Sequence, residues 1–208
     1  MGLCSCGPAP GAAAWTQATP AGQWGALFDG KTLAGWKVPV FGADGKVYVK
    51  GGAIHMEVGR EATGMTYTGP LVRENYEIAL EGMRVDRDDF FCGLTFPVGK
   101  DPISLILGGW GGTVVGLSCI DYSDASQNET TQEVYFENGQ WYAIRVRVTK
   151  PKIQVWLDDK KIIDVDRAGH NFNIRPEMDL SVPLGIITWK THGAVRNIRM
   201  RTIEPAQP

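Results

Sequence analysis

Short runs of strictly alternating apolar and polar residues, cut by glycine, aspartate and asparagine, recur along the chain and set its class. Tyr142, Ile144, Val146 and Val148 face one way, while Arg145 and Arg147 face the other. Successive strand side chains point to opposite faces, so this pattern makes a strand with one buried side. Ile153, Val155 and Leu157 form a second inward row after Lys150-Pro151, and Asp158-Asp159 then turns the chain into Lys161-Ile162-Ile163-Asp164-Val165. The runs 46–50 and 53–58 flank Gly51-Gly52, a two-residue hairpin signal in which both turn residues need positive φ. Tyr76, Ile78 and Leu80 alternate with Glu77, Ala79 and Glu81, after which the apolar phase passes to Met83 and Val85. That slip predicts a β-bulge at Gly82. Residues 90–96, 103–107 and 184–189 are mostly apolar, as strands covered on both faces are. The last run alternates Ile198 and Met200 with Asn197, Arg199 and Arg201. No stretch of ten residues carries a helical period. The expected fold is all-β, an antiparallel two-sheet sandwich over residues 24–203, with at most one short helix.

A length of 208 residues fits one such domain. Hydrophobic content of 43% and charged content of 21% exclude global disorder. A formal net charge of -2 gives no basic footprint, so nucleic acid is not an expected partner. No apolar run reaches the roughly 18 residues of a transmembrane segment. Nothing in these patterns sets the oligomeric state. Cys92 and Cys119 sit in apolar runs and read as small buried hydrophobes, while Cys4-Ser5-Cys6 has no later Cys/His pair to complete a zinc site. Residues 1–23 are rich in Ala, Gly and Pro and read as a flexible tail that adds little to the core, as do residues 204–208. Leu3-Cys4-Ser5-Cys6 is similar to the end of a bacterial lipoprotein signal with Cys6 as the lipidated residue, although no charged or apolar leader region precedes it. Export to the periplasm or cell envelope is the expectation.

The opening Leu27-Phe28-Asp29-Gly30-Lys31-Thr32-Leu33-Ala34-Gly35-Trp36 resembles that of the 3-keto-disaccharide hydrolase domain family. Asn75-Tyr76-Glu77-Ile78-Ala79-Leu80-Glu81 resembles the family's middle strand. The hairpin from Ile153 to Asp164 and the ending Thr191-His192-Gly193-Ala194-Val195-Arg196-Asn197 resemble its late elements. The resemblance covers residues 23–203. It implies a jelly roll similar to legume lectins and laminin G domains, and an activity on sugars oxidised to a ketone at C3. Such a ketone acidifies the hydrogen on C2, so a general base can remove it and the enolate can expel the C1 aglycone. The chemistry needs a base, donors for the enolate oxygen and an acid for the leaving oxygen.

His192 matches the family's late His-Gly and is the first candidate base; its ordinary pKa suits that role or metal ligation. Many members carry a Glu-Tyr-Gln strand where this chain has Gly112-Thr113-Val114-Val115-Gly116-Leu117-Ser118, so Glu129 or Glu133 would have to substitute. Asp121, Asp124 and Asn128 fall in a polar stretch over 121–132, which reads either as a solvated loop or as oxygen ligands for a sugar or a divalent metal. Trp110, within Gly108-Gly109-Trp110-Gly111-Gly112, can stack on a sugar ring; Trp189 and Lys190 could form a second wall, and His55 could face the cleft. The cluster Asp86-Arg87-Asp88-Asp89 reads as a polar turn, and His170 as an exposed loop residue. Arg145, Arg147, Arg199 and Arg201 against Glu77 and Glu81 read as a charged sheet face. A carbohydrate or glycoside is the expected partner under either of two readings, a 3-keto-glycoside hydrolase or lyase and a non-catalytic carbohydrate-binding module. An envelope adhesion domain is the third.

Overall fold

The computed structural model describes residues 13–42 and 44–204. Two antiparallel sheets face each other. The eight-stranded sheet runs, in spatial order, β13 (Lys160–Asp166), β12 (Lys152–Leu157), β11 (Trp141–Val148), β6 (Tyr76–Asp86), β15 (His192–Thr202), β4 (Ala53–Met56) and β3 (Val47–Lys50), with β1 (Gly25–Ala26) also paired to β15. The seven-stranded sheet runs β10 (Gln132–Glu133), β9 (Val114–Ser118), β8 (Asp101–Gly108), β7 (Cys92–Val98), β14 (Gly185–Trp189), β5 (Ala62–Tyr67) and β2 (Trp36–Lys37). One 3-10 helix, Pro176–Ser181, completes the described elements of note. The antiparallel two-sheet sandwich expected from the alternation is the fold observed, in the jelly-roll form that the resemblance implies.

The inward rows are those read from the sequence. Ile144, Val146 and Val148 pair across to Leu80, Ile78 and Tyr76, and all six are buried between the sheets. The turns Gly51-Gly52 and Asp158-Asp159 both hold two consecutive positive φ angles, as tight hairpins of this twist require. The opening motif over 27–36 is a folding device. The Asp29 carboxylate accepts the Lys31 and Thr32 amides at 2.7 Å each, and Trp36 Nε1 donates to the Leu27 carbonyl at 2.8 Å.

Two expectations fail for physical reasons. There is no bulge at Gly82: β6 keeps its phase, and a Cβ there would meet Ile144 and Phe91 in the core. The inward phase continues to Arg84, a buried polar residue that hides the pattern from a hydrophobicity reading. Register against β15 slips at two other places: in β15 between Arg196 and Arg199, where Asn197 takes a φ of 54°, and in β6 at Val85, between the partners of His192 and Gly193. Nor is all of 1–23 outside the core. Trp15 is 3% exposed, its Nε1 donates to the Pro70 carbonyl at 3.0 Å, and its amide bonds to Ala26. Gly25 permits that approach, since a Cβ there would fall 2.7 Å from Trp15 Cα. Cys4 and Cys6 lie outside the described residues.

Trp15→Ala should therefore lower the free energy of unfolding by about 3–5 kcal/mol, the usual cost of deleting a buried aromatic. Denaturant unfolding at fixed pH measures it, and a loss under about 1 kcal/mol would restore the segment to a loose tail.

Candidate functional site

The seven-stranded sheet is apolar on both faces. Phe91, Leu105, Leu107 and Ile186 point into the inter-sheet core. Their chain neighbours Phe90, Ile106 and Ile187 point outward into a second cluster with Ala62, Ala125 and Met178. Bare, that outer face would expose a large apolar patch. The 3-10 helix covers one part: Ser181 Oγ lies 2.6 Å from Thr95 Oγ1, and Gly185 has no side chain to hold the helix off. The loop over 121–131 covers another, with Ala125 seated on Gly116, where a Cβ would be 2.8 Å from the Ala125 carbonyl oxygen. Beside the 3-10 helix lies a cavity of about 180 Å³, lined by Asp89, Phe90, Ile106, Trp110, Arg175, Glu177, Met178 and Trp189.

The aromatic walls are held by backbone geometry. Trp110 sits on a turn that follows β8, with φ of 78° at Gly108, 49° at Trp110 and 88° at Gly111. A tryptophan in the left-handed region is unusual and clusters with function. Arg84 fixes the turn from beneath. Its guanidinium is buried and donates to the Gly112 carbonyl (3.2 Å), the Phe136 carbonyl and Asn138 Oδ1 (2.7 Å). Trp189, at the end of β14, stacks at 23° on Phe90 with centroids 6.3 Å apart. Lys190 Nζ lies 5.8 Å from the Trp189 ring.

Asp89 is one of two carboxylates lining the cavity. It is partly buried, its amide donates to Thr191 Oγ1 at 2.9 Å, and its Oδ1 accepts the Phe90 amide at 2.7 Å. Burial pushes its pKa above the ordinary value, against the opposing pull of the Phe90 and Gly111 amides and the Lys190 charge. The other lining carboxylate, Glu177, is paired with Arg175 (2.6 Å), whose second partner is Asp124 (3.0 Å). Among the cavity's acids, Asp89 alone makes no ion pair among the described residues. The sequence hid Asp89 inside an acidic run that resembles a turn; its position immediately before the apolar pair Phe90-Phe91 was the available signal.

The other candidates fall elsewhere. Two residues, Lys190 and Thr191, carry the chain between sheets, so Trp189 and His192 emerge on opposite outer faces. His192 Nε2 lies 3.2 Å from His55 Nδ1, and Tyr48 stacks on His55 at 5.4 Å. The expected union of Trp110 with His192 is not formed, and neither His192 nor His55 lines the cavity. Burial lowers both imidazole pKa values. Asn128 is committed to its own loop: Nδ2 contacts the Leu117, Ser123 and Asp124 carbonyls, and Oδ1 accepts from Thr130. Asp121 and Glu129 gather at His170, at 2.7 and 3.6 Å, and the Asp121 hydrogen bond raises the His170 pKa. Glu133 is exposed on edge strand β10, paired in register with Val114. Among the described residues no group of three or more His, Cys, Asp or Glu side chains could hold a metal ion. A wider cavity of about 300 Å³ lies at the opposite end, by Lys150, Arg167 and His170, without a pair of aromatic walls.

With this geometry in hand, comparison with known proteins is decisive for family. The profile of the 3-keto-alpha-glucoside-1,2-lyase-like domain matches residues 23–204. The chain belongs to that family. No curated protein sequence matches. Solved structures are similar in fold at low identity. A protein from Parabacteroides distasonis described as a glycosyl hydrolase aligns with TM-score 0.56 and 13% identity, covering 87% of this chain and 94% of that one. The carbohydrate-binding module CBM66 from Bacillus subtilis aligns with TM-score 0.51 and 9% identity, covering 81% and 96%. The Crh5 transglycosylase in complex with NAG aligns with TM-score 0.59 and 12% identity, covering 87% and 84%. The domain is carbohydrate-active in family terms.

The three histidines set opposite pH trends. His55 and His192 take protons less readily folded than unfolded, so their contribution is lost as pH falls below about 6.5. His170 takes them more readily, so its contribution is full below about 6.5 and is lost as pH rises through its raised value. His170→Gln should lower the thermal midpoint at pH 5 and leave it unchanged at pH 9, whereas His192→Gln should reduce the acid-side loss. Thermal scans across pH 5–9 check both signs.

Proposed function

We propose that the domain is a lyase acting on the terminal ring of a 3-keto-glycoside, in the cavity between Trp110 and Trp189. The observation that carries this reading is a carboxylate of raised pKa, without an ion partner among the described residues, that lines one cavity with Trp110 and Trp189. A sugar ring stacked between the indoles would present its C2–H to Asp89. In the step, Asp89 takes the C2 proton and the electron pair of the C2–H bond passes into the C3 carbonyl as an enolate. The enolate then collapses, restoring the C3 ketone, forming the C1–C2 double bond and breaking the C1–O bond. The departing oxygen receives a proton, which the newly protonated Asp89 can supply. Lys190 is the nearby cation for the enolate oxygen, and the Arg175–Glu177 pair offers hydrogen bonds to ring hydroxyls. A pKa above that of an ordinary carboxylate makes Asp89 a stronger base.

A binding-module reading draws support from one observation: the stretch 112–118, which corresponds to a glutamate-bearing strand in many family members, holds no acidic residue. The two readings separate in one assay. Incubated with a 3-keto-α-glucoside, the parent should release aglycone, with the acid limb of its pH profile displaced upward from about 4. Asp89→Asn should lower turnover by about a hundred- to ten-thousand-fold with little change in the thermal midpoint. Trp110→Ala should chiefly raise KM. Sugar binding without turnover by the parent would leave the binding module as the function.

A further inference from the structure

The outer face of the eight-stranded sheet concentrates positive charge that the rest of the molecule lacks. Arg145 and Arg147 on β11 and Arg196, Arg199 and Arg201 on β15 all point outward, facing Glu77 and Glu81 on the strand between them. Glu77 is fully buried beneath Arg145 (3.0 Å), Arg147 (2.6 Å) and Arg201 (2.5 Å). Burial opposes its ionisation, but the Arg147 and Arg201 hydrogen bonds win and hold its pKa below the usual value. Glu81 takes Arg196 at 2.7 Å and Asn197 at 2.6 Å. Arg199 makes no ion pair among the described residues and lies exposed over Trp24, 4.9 Å from the ring centroid. Five arginines against two glutamates leave a local cationic excess, although the chain holds 21 basic and 23 acidic residues in all. The remainder is therefore net acidic.

These arginines are also pre-organised. Arg145 lies 3.7 Å from the centroid of Trp156, Arg196 4.1 Å from Trp141, and Arg201 4.5 Å from Trp24. Stacking fixes the planar fork at little further entropic cost, and a fixed fork can take an acidic group bidentately. β11 and β15 lie either side of β6, so the two sets of forks stand two strand spacings, about 10 Å, apart.

We propose that this face binds an acidic polysaccharide, one bearing carboxylates or sulfate esters along its length, and so holds the domain on its source of sugar. The proposal takes from the preceding reading only that the ligand is carbohydrate. A repeating anion on a flat surface matches the row of forks, while the acidic remainder of the chain works against a phosphodiester duplex, whose long-range field is stronger.

Native electrophoresis through gels containing polygalacturonate, dextran sulfate or neutral dextran tests this without any turnover. The parent should be retarded by one or both acidic polymers and not by neutral dextran, and the one that retards names the acidic group. Arg199→Glu should weaken retardation at least tenfold, as should raising salt, with the thermal midpoint and any aglycone release unchanged. Lys160→Glu, on the distal hairpin, should have little effect. Retardation by neutral dextran, a change under twofold in Arg199→Glu, or tighter binding to duplex DNA than to either polymer would overturn the proposal. Because Arg199 is remote from the Asp89 cavity, failure here leaves the lyase reading untouched, and failure of that reading leaves this one standing.

Discussion

An apolar face on the wrong side of a sheet has to be covered, and that requirement shapes the site. The seven-stranded sheet spends its odd and even residues on two separate hydrophobic clusters. The first is closed by the opposite sheet. The second is closed by a 3-10 helix and a loop, which meet over Gly185, Thr95 and Gly116. Where those covers stop short, the surface drops into a cavity with apolar walls and a few polar groups, the usual make-up of a small-ligand site. Its volume is below the roughly 300–1,000 Å³ of drug-sized pockets, which suits one ring better than a chain of them.

Electrostatics follow from the same closure. Asp89 is half withdrawn from water beside Phe90, so its charged form is disfavoured. The Phe90 and Gly111 amides that reach it oppose that shift. The cavity's other acid, Glu177, is paired with Arg175, so one lining carboxylate is left without an ion partner among the described residues. Arg84 contributes from the other sheet. By holding the Gly112 and Phe136 carbonyls it keeps the Trp110 turn in a backbone conformation that tryptophan does not favour.

Strands with one wet face were plain in the sequence, because period-2 alternation is written directly in residues such as Ile144, Arg145 and Val146. Gly51-Gly52 and Asp158-Asp159 announced their turns for the same local reason. What failed was non-local. Gly82 looked like a phase slip because its inward neighbour is a buried arginine. Trp15 looked like tail because its partner carbonyl belongs to Pro70, far along the chain. In the site, Trp110 and Trp189 stood out through glycine context and position. Asp89 did not, since nothing local marks which member of an acidic run turns inward. His192 was placed wrongly relative to Trp110 because two residues of crossover decide between opposite faces, and sequence does not say where a strand changes sheet.

The stretch 112–118 holds no acidic residue, and the Asp89 carboxylate that lines the cavity comes from the β6–β7 connection. The central claim is that sugar is held between Trp110 and Trp189 with C2 facing Asp89. A crystal structure of the Asp89→Asn protein soaked with a 3-keto-α-glucoside tests it directly. The account predicts density for one ring stacked on the two indoles, with C2 within about 3–3.5 Å of the residue 89 side chain. A ring bound instead beside His55 and His192, on the other sheet, would contradict it.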